Sequence, residues 1–233
     1  MLEIHGFQKT TLLDYPGCLA STVFFGGCKF RCPNCHNGEL VLSTGSQKLI
    51  TVNSVLSNIK MHQGILDGVC ITGGEPTLQP ELSDFIKKIK DLGYLVKLDT
   101  NGSHPEVLKS LCHSNLIDYV AMDIKHAPSR YQEICNAPSF SMEKIAESAA
   151  FLLEGTVPYE FRTTIVRELH TLKDFEEIGA WIAGADSYFL QSYQESEQVI
   201  HPVFSSYTKK ELEDIQSLLQ KYIPHVEIRG VDA

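Results

Sequence analysis

The chain has 233 residues, enough for one domain with a sizeable core, and its 43% apolar and 21% charged residues are those of a soluble globular protein. Its net charge of −9, from 20 basic and 29 acidic residues, argues against broad nucleic-acid binding, which wants a basic surface. No apolar run approaches the roughly 18 residues of a membrane span, and the opening Met-Leu-Glu-Ile-His lacks a basic and then apolar leader, so a cytoplasmic protein with no membrane partner is expected.

Residues 1–20 mix polar and apolar side chains and end in a turn, Asp14-Tyr15-Pro16-Gly17. Ser21 to Phe25 then reads as a short strand of β-branched and aromatic residues, closed by Gly26-Gly27. The segment 43–48 is polar and loop-like. Thr51 is placed to cap a helix over about 52–62, and Val69 to Thr72 is the next strand, closed by Gly73-Gly74. From Pro80 to Leu92 the apolar residues Leu82, Phe85, Ile86, Ile89 and Leu92 recur at spacings of three and four, which marks an amphipathic helix. Tyr94 to Leu98 is a strand, Pro105 to Cys112 a helix, and Tyr119 to Ile124 a strand. Helix and strand go on alternating: Met142 to Leu153 behind a Ser141 cap, Tyr159 to Val166, Leu172 to Ile182, Tyr188 to Gln191, Lys209 to Tyr222 behind Thr208, and a last strand at Val226 to Arg229. Alternation at this pitch builds a parallel sheet from strand–helix–strand units. About six core strands are too few to close an eight-fold barrel, so the expected fold is α/β, an open, partial (β/α)6 barrel in one domain over residues 1–233.

Three of the seven cysteines, Cys28, Cys32 and Cys35, fall in one loop after the first of these strands, with the spacing C-x3-C-x2-C. Composition alone would give this spacing about 0.006 times in such a chain, from (7/233)³ over roughly 226 starting points, so the grouping has a purpose. The other four, Cys18, Cys70, Cys112 and Cys135, are scattered, which speaks against a disulfide framework. Cys70, inside a strand, reads as a small core residue. Thiolates select zinc, copper(I) or iron–sulfur clusters. A structural zinc site wants four ligands, and His36 stands too close to Cys35 to complete one easily. Cys32 to His36 also reads C-x-x-C-H, the haem-attachment pattern, but that requires export. A cubane iron–sulfur cluster held by three cysteines keeps one iron open, as a catalytic metal site does.

The motifs at Gly73, Asp99 and Asp123 each follow or end a strand, and in a parallel α/β barrel those strand ends share one face, where active sites are built. Gly73 and Gly74 let backbone approach a ligand with no Cβ in the way. Glu75 beside them is an acceptor suited to an ammonium group. Asp99, Thr100, Asn101 and Asp123 offer hard oxygens and amide groups, or plain turn and capping chemistry. Lys125 carries a positive charge toward the same mouth, or is simply solvated. Arg162 lies within a strand, where an unpaired guanidinium is costly; an anionic ligand or an internal salt bridge would satisfy it.

With Gly73-Gly74-Glu75-Pro76-Thr77 downstream of the cysteine loop, the chain resembles the radical S-adenosylmethionine (SAM) enzymes. More narrowly it resembles the glycyl-radical-enzyme activases, and most of all the anaerobic ribonucleoside-triphosphate reductase activating proteins. Gly6 to Leu12, Asp14-Tyr15-Pro16-Gly17, Cys28 to Asn37, Asp99-Thr100-Asn101-Gly102 and Asp123-Ile124-Lys125 carry the likeness over about the first half of the chain. The resemblance implies a [4Fe–4S] cluster on Cys28, Cys32 and Cys35, with the SAM amine and carboxylate on the fourth iron. It implies that the Gly73–Glu75 segment meets the amino end of SAM and that Asp99, Thr100 and Asp123 hold a monovalent cation beside its carboxylate. It implies reductive cleavage to a 5′-deoxyadenosyl radical, a glycyl radical enzyme as protein substrate, and a flavodoxin or ferredoxin as electron donor. His36 is expected near the adenine. Asn34 stands where an aromatic residue is common in the superfamily, which leaves backbone contacts there. At Leu190-Gln191-Ser192-Tyr193-Gln194 a Tyr-His pair of some activases is missing, so no SAM-binding role passes to Gln194. Without a second cysteine-rich insert, no auxiliary clusters are expected. Two other readings share these residues: a radical SAM enzyme acting on a small molecule or peptide, and a non-catalytic zinc or electron-transfer module.

Overall fold

The computed structural model describes residues 2–42, 49–196 and 199–231; the predicted loop 43–48 lies outside the described residues. Eight strands form one sheet in sequential order: β1 (Ile4–Thr11), β2 (Ala20–Phe25), β3 (Gly68–Gly73), β4 (Leu95–Thr100), β5 (Tyr119–Asp123), β6 (Tyr159–Ile165), β7 (Tyr188–Ser192) and β8 (Val226–Arg229). β2 to β8 are all parallel, and β1 pairs antiparallel with β2. β1 and β8 each pair with one neighbour, so the sheet stays open.

The helices are α1 (Gly38–Leu42), α2 (Val52–Met61), α3 (Leu82–Asp91), α4 (Pro105–His113), α5 (Tyr131–Cys135), α6 (Met142–Leu153), α7 (Leu172–Trp181) and α8 (Lys209–Leu219). Each of β2 to β7 is followed by a helix, which makes six strand–helix units capped by β8. The predicted partial barrel is therefore present, with three further elements that the sequence does not announce: β1 and the five-residue helices α1 and α5. β1 occupies residues read as a mixed stretch. It is an edge strand whose two ends, Ile4 and Thr11, are buried while its middle is half-buried or exposed, and its pairing is irregular on either side of Gly6 to Gln8. Such a strand carries little alternation to read.

Helix starts follow their caps. The Thr51 side chain accepts from the Ser54 amide at 3.1 Å and that of Ser141 from the Lys144 amide at 3.4 Å. Thr171 with Asp174, and Thr208 with Glu211, make complete capping boxes. In α3 the residues buried against the sheet, Leu82, Phe85, Ile86 and Ile89, are those of the predicted apolar stripe.

Within the strands, side chains alternate between the helix layer and the barrel interior. Val69, Ile71, Val96, Leu98, Val120, Met122 and Phe161 are buried in the main apolar core. Their neighbours Cys70, Lys97, Asp99, Asp123, Glu160 and Arg162 turn the other way and meet one another, as the Lys97–Cys70, Arg162–Asp99 and Arg162–Asp123 contacts show. In β4, β5 and β6 one face is thus oily and the interior face charged. Burying charge needs partners and ligands rather than packing, so the interior is where function is to be sought.

Candidate active site

The cysteine loop leaves β2 through Gly26 and Gly27 and is tied down on all sides. The Gly27 amide donates to Leu40 O at 2.8 Å, and Gly27 O accepts from the Glu75 amide at 2.7 Å. The Arg31 amide donates to Cys135 O at 2.7 Å. From the far end of the chain, the Ile200 and His201 amides donate to Cys35 O (3.2 Å) and Pro33 O (3.0 Å). Asn37 reaches across to β3, its side-chain amide 2.8 Å from Gly73 O.

The loop lines a cavity of about 190 Å³ at the C-terminal ends of the parallel strands. Cys28, Cys32, Asn34, Cys35 and His36 form one wall; Gly73, Gly74, Asp99, Thr100, Asn101, Asp123, Lys125 and Arg162 form the others. Thirteen of the fourteen residues predicted from sequence therefore meet at one place.

Glu75 is the exception: it stands behind the wall, 1% exposed. Its oxygens accept from the Thr77 amide (3.1 Å) and hydroxyl (2.5 Å), the Thr100 hydroxyl (2.8 Å) and the Asn101 amide (2.7 Å). Burial pushes its carboxyl upward against these four bonds, which favour the ionised form. In this structure Glu75 acts as a clamp between the β3 and β4 loops.

The thiols differ in setting. Burial pushes Cys28 up to about 12, with the Glu75 charge adding to it. Cys28 Sγ nevertheless faces two N–H donors, the Phe30 amide at 3.4 Å and the Asn101 side chain at 3.6 Å. Burial also raises Cys35. Cys32 is held low, above all by a hydrogen bond from the thiol of Cys135, which outweighs its burial. Cys135 ends α5 and is fully buried beside the trio. No sequence spacing announces it.

Opposite the sulfurs lies a line of charge. Arg162 donates to Asp99 Oδ2 at 3.2 Å and to Asp123 Oδ1 at 2.9 Å, and Lys125 Nζ lies 3.0 Å from Asp123 Oδ2. Lys97 pairs with the other oxygen of Asp99. Burial works to raise both carboxyls, but for Asp99 the charges of Arg162 and Lys97 win and lower it. For Asp123 those of Arg162 and Lys125 win and hold it at about 2. Burial works to lower Lys125, yet Asp123 and the thiolates of Cys32 and Cys35 raise it. The internal salt bridge open to Arg162 at the sequence level is thus formed, on carboxylates that themselves line the cavity. His36 donates from Nε2 to Gln194 O at 2.8 Å and packs on Tyr193, ring centres 5.4 Å apart. Thr164, two residues after Arg162 on the same face of β6, and Asn37 also line the cavity and were not predicted.

The glycine pair at the end of β3, Gly73 and the following Gly74, is required by geometry. A Cβ on Gly73 would meet Phe25 O at 2.2 Å, and one on Gly74 would meet Gly27 O at 2.1 Å. Gly73 also has φ +122, which only glycine adopts readily. Gly73→Ala is expected to destabilise the protein by at least about 2 kcal/mol, read as a lowered urea midpoint at unchanged slope. An unchanged midpoint would show that the β2–β3 contact relaxes freely.

The family model described as the radical SAM superfamily matches residues 22–182, which span both cavity walls. A Methanocaldococcus jannaschii protein named as a glycyl-radical enzyme activating enzyme is 31% identical over 236 residues, covering 98% of this chain and 96% of its own. The chain belongs to the radical SAM superfamily, among the glycyl-radical enzyme activating enzymes. The pyruvate formate-lyase-activating enzyme of Clostridium pasteurianum is 36% identical over 135 residues, 54% of this chain and 53% of that protein. Among solved structures, Streptococcus suis SuiB bound to S-adenosylmethionine shares the fold with a TM-score of 0.69 at 13% identity, over 88% of this chain and 48% of that one. A domain of a Bacteroides vulgatus pyruvate-formate lyase-activating enzyme has a TM-score of 0.57 at 20% identity, over 70% of this chain and 99% of that one.

Membership in this radical SAM family implies a [4Fe–4S] cluster, SAM, and a glycyl radical enzyme as partner. The residues present fit such a group. Three sulfurs face one cavity, N–H donors point at Cys28 as they do at cluster thiolates, and the glycine pair leaves backbone bare at the rim. Among the described residues no three His, Cys, Asp or Glu side chains converge closely enough to hold a single metal ion, and no helix is long and apolar enough to cross a membrane.

Proposed function

We propose that this chain, as one cytoplasmic radical SAM domain over residues 1–233, activates an anaerobic ribonucleotide reductase by generating its glycyl radical. The observation that carries the reading is the meeting of three cysteines and a cationic wall across one cavity. Cys28, Cys32 and Cys35 would hold the cluster, and the opposite wall would hold SAM. When bound, cluster and SAM together supply one-electron cleavage of the sulfonium and a 5′-deoxyadenosyl radical able to take a glycine Cα hydrogen.

The protein's own contribution is placement. Lys125 and Arg162 present positive charge to a carboxylate, on a chain whose overall charge is −9. Gly73 and Gly74 offer bare backbone for the amino end, and Glu75 holds the β4 loop in register with them. Phe30 and Val41, both buried, shield the cavity from water on the cysteine side. Asn34 and His36 stand at the rim where an adenine would lie, His36 fixed in orientation by Gln194 O.

What supports the reductase as partner is the resemblance carried together by Gly6 to Leu12, Asp14 to Gly17, Cys28 to Asn37, Gly73 to Thr77, Asp99 to Gly102 and Asp123 to Lys125. The open side of the sheet, between β8 and β1, leaves room for a peptide loop. A flavodoxin or ferredoxin would deliver the electron. The same resemblance implies a monovalent cation at Asp99, Thr100 and Asp123; those two carboxylates already face three side-chain cations, Lys97, Arg162 and Lys125.

Co-incubating the reconstituted protein anaerobically with SAM, a reductant and an anaerobic ribonucleotide reductase is expected to give a glycyl radical signal by electron spin resonance. A signal on pyruvate formate-lyase but none on the reductase would overturn the choice of partner.

A further inference from the structure

Lys97 is the least expected residue of the barrel interior. It sits in the middle of β4 with its side chain 1% exposed. A lysine is seldom fully buried, and taking its charge out of water costs several kcal/mol unless it is answered. It shares a strand face with Asp99, two residues on, and its ammonium pairs with Asp99 Oδ1. Its other polar neighbour is Cys70 Sγ at 3.9 Å, a poor acceptor. Lys97 does not line the cavity; it lies beneath it.

The consequence is a line of alternating charge: Lys97, Asp99, Arg162, Asp123, Lys125. Glu160 also faces Arg162, at 4.0 Å, but it is answered by Arg229 at 3.0 Å, so the three cations and two carboxylates of the line leave +1. Without Lys97 the sum is zero, and Asp99 Oδ1 is an unanswered negative atom at the wall of a cavity expected to take a carboxylate. Two aspartates facing an anionic ligand need a counter-charge from somewhere, and either a side chain or a dissolved cation can supply it.

We propose that Lys97 is a positioning residue, a built-in counter-ion that lets the cavity bind a carboxylate-bearing ligand without any added monovalent cation. The inference rests on the reading that this cavity takes SAM. Lys97 acts through Asp99: by holding Oδ1 it turns Oδ2 to Arg162, and Arg162 in turn is fixed against Asp123. The surplus positive charge is carried forward to Lys125 and the guanidinium, where the ligand carboxylate arrives. Deleting the ammonium while keeping the length of the side chain leaves Asp99 Oδ1 unanswered and opens a space that a small cation can enter.

The test is SAM binding to the anaerobically reconstituted holoenzyme, by equilibrium dialysis, in choline chloride, sodium chloride and potassium chloride of equal ionic strength, so that screening is constant. For the wild type, affinity is expected to be equal in all three salts. For Lys97→Met it is expected to fall at least about tenfold in choline and to recover in sodium or potassium. The wild-type arm does not depend on the variant's folding. Wild-type binding that requires sodium or potassium would overturn the role of Lys97 and leave the SAM reading intact. So would a Lys97→Met protein that binds as the wild type does in choline. No SAM binding in any salt would overturn both.

Discussion

Replacing Arg162 with Met is expected to lower stability by about 3 kcal/mol, the low end for a broken buried pair, because it strips the shared partner from two largely buried carboxylates and leaves each with one lysine. The guanidinium is 13% exposed and bridges Asp99 at 3.2 Å and Asp123 at 2.9 Å. In a chain of this length each kcal/mol moves the melting temperature by about 2–4 °C, so a fall of roughly 10 °C is expected. The effect has a signature in pH. Asp123 is held at about 2 in the folded protein, against an ordinary aspartate value of about 3.9. A depressed folded value stabilises the protein above the ordinary value, and that stabilisation disappears as pH falls from about 4 toward 2. The wild type should therefore lose stability over this window, while Arg162→Met, already without the bridge, should lose less. Urea midpoints measured across the window should converge toward pH 2. Parallel curves would show that Arg162 does not set the ionisation of Asp123.

The second large effect is expected at the cysteines. Removing an outer partner of a metal ligand typically costs 10–100-fold in metal affinity or activity, so loss of a ligand itself should cost more. Cys32→Ala is expected to lower 5′-deoxyadenosine formation by more than about 100-fold and to bleach the brown absorbance of the reconstituted protein. Cys112→Ala, on α4 and away from the cavity, should leave both unchanged. Cys32 is the most telling of the three, since it is the most buried, at 6% exposure, and the Cys135 thiol helps hold it low.

How far the sequence reaches can be judged from particular residues. The strands from β2 to β7 were legible because each is short, rich in β-branched and aromatic residues, and followed by a helix, several with caps written at Thr51, Ser141 and Thr208. β1 was not, because an edge strand with exposed middle residues leaves no alternation. The convergence of the motifs was legible from topology alone, since every motif follows a parallel strand. Their division of labour was not. Glu75 looks like a ligand group in sequence, yet the backbone turn after Gly74 carries it behind the wall, where four donors close around it. Arg162 could have waited for an anionic ligand; only the register of β4, β5 and β6 shows that Asp99 and Asp123 flank it.

Lys97 was invisible for a related reason. Strand parity says that it shares a face with Asp99, but not that this face looks into a charged interior. Cys135 was invisible because its approach to Cys32 depends on α5, a five-residue helix with no periodic signal of its own. The bracing of the cysteine loop by Ile200 and His201 belongs to an irregular stretch whose path no local rule dictates.

One measurement bears most directly on the claim that three sulfurs leave an iron free for SAM. The wild-type protein, reconstituted without oxygen, is treated with dithionite, and its iron is followed by Mössbauer spectroscopy before and after SAM is added. One iron in four should change its signal on addition, with 5′-deoxyadenosine appearing in the same sample. A cluster in which all four irons ignore SAM, or a protein that takes up no iron, would contradict it.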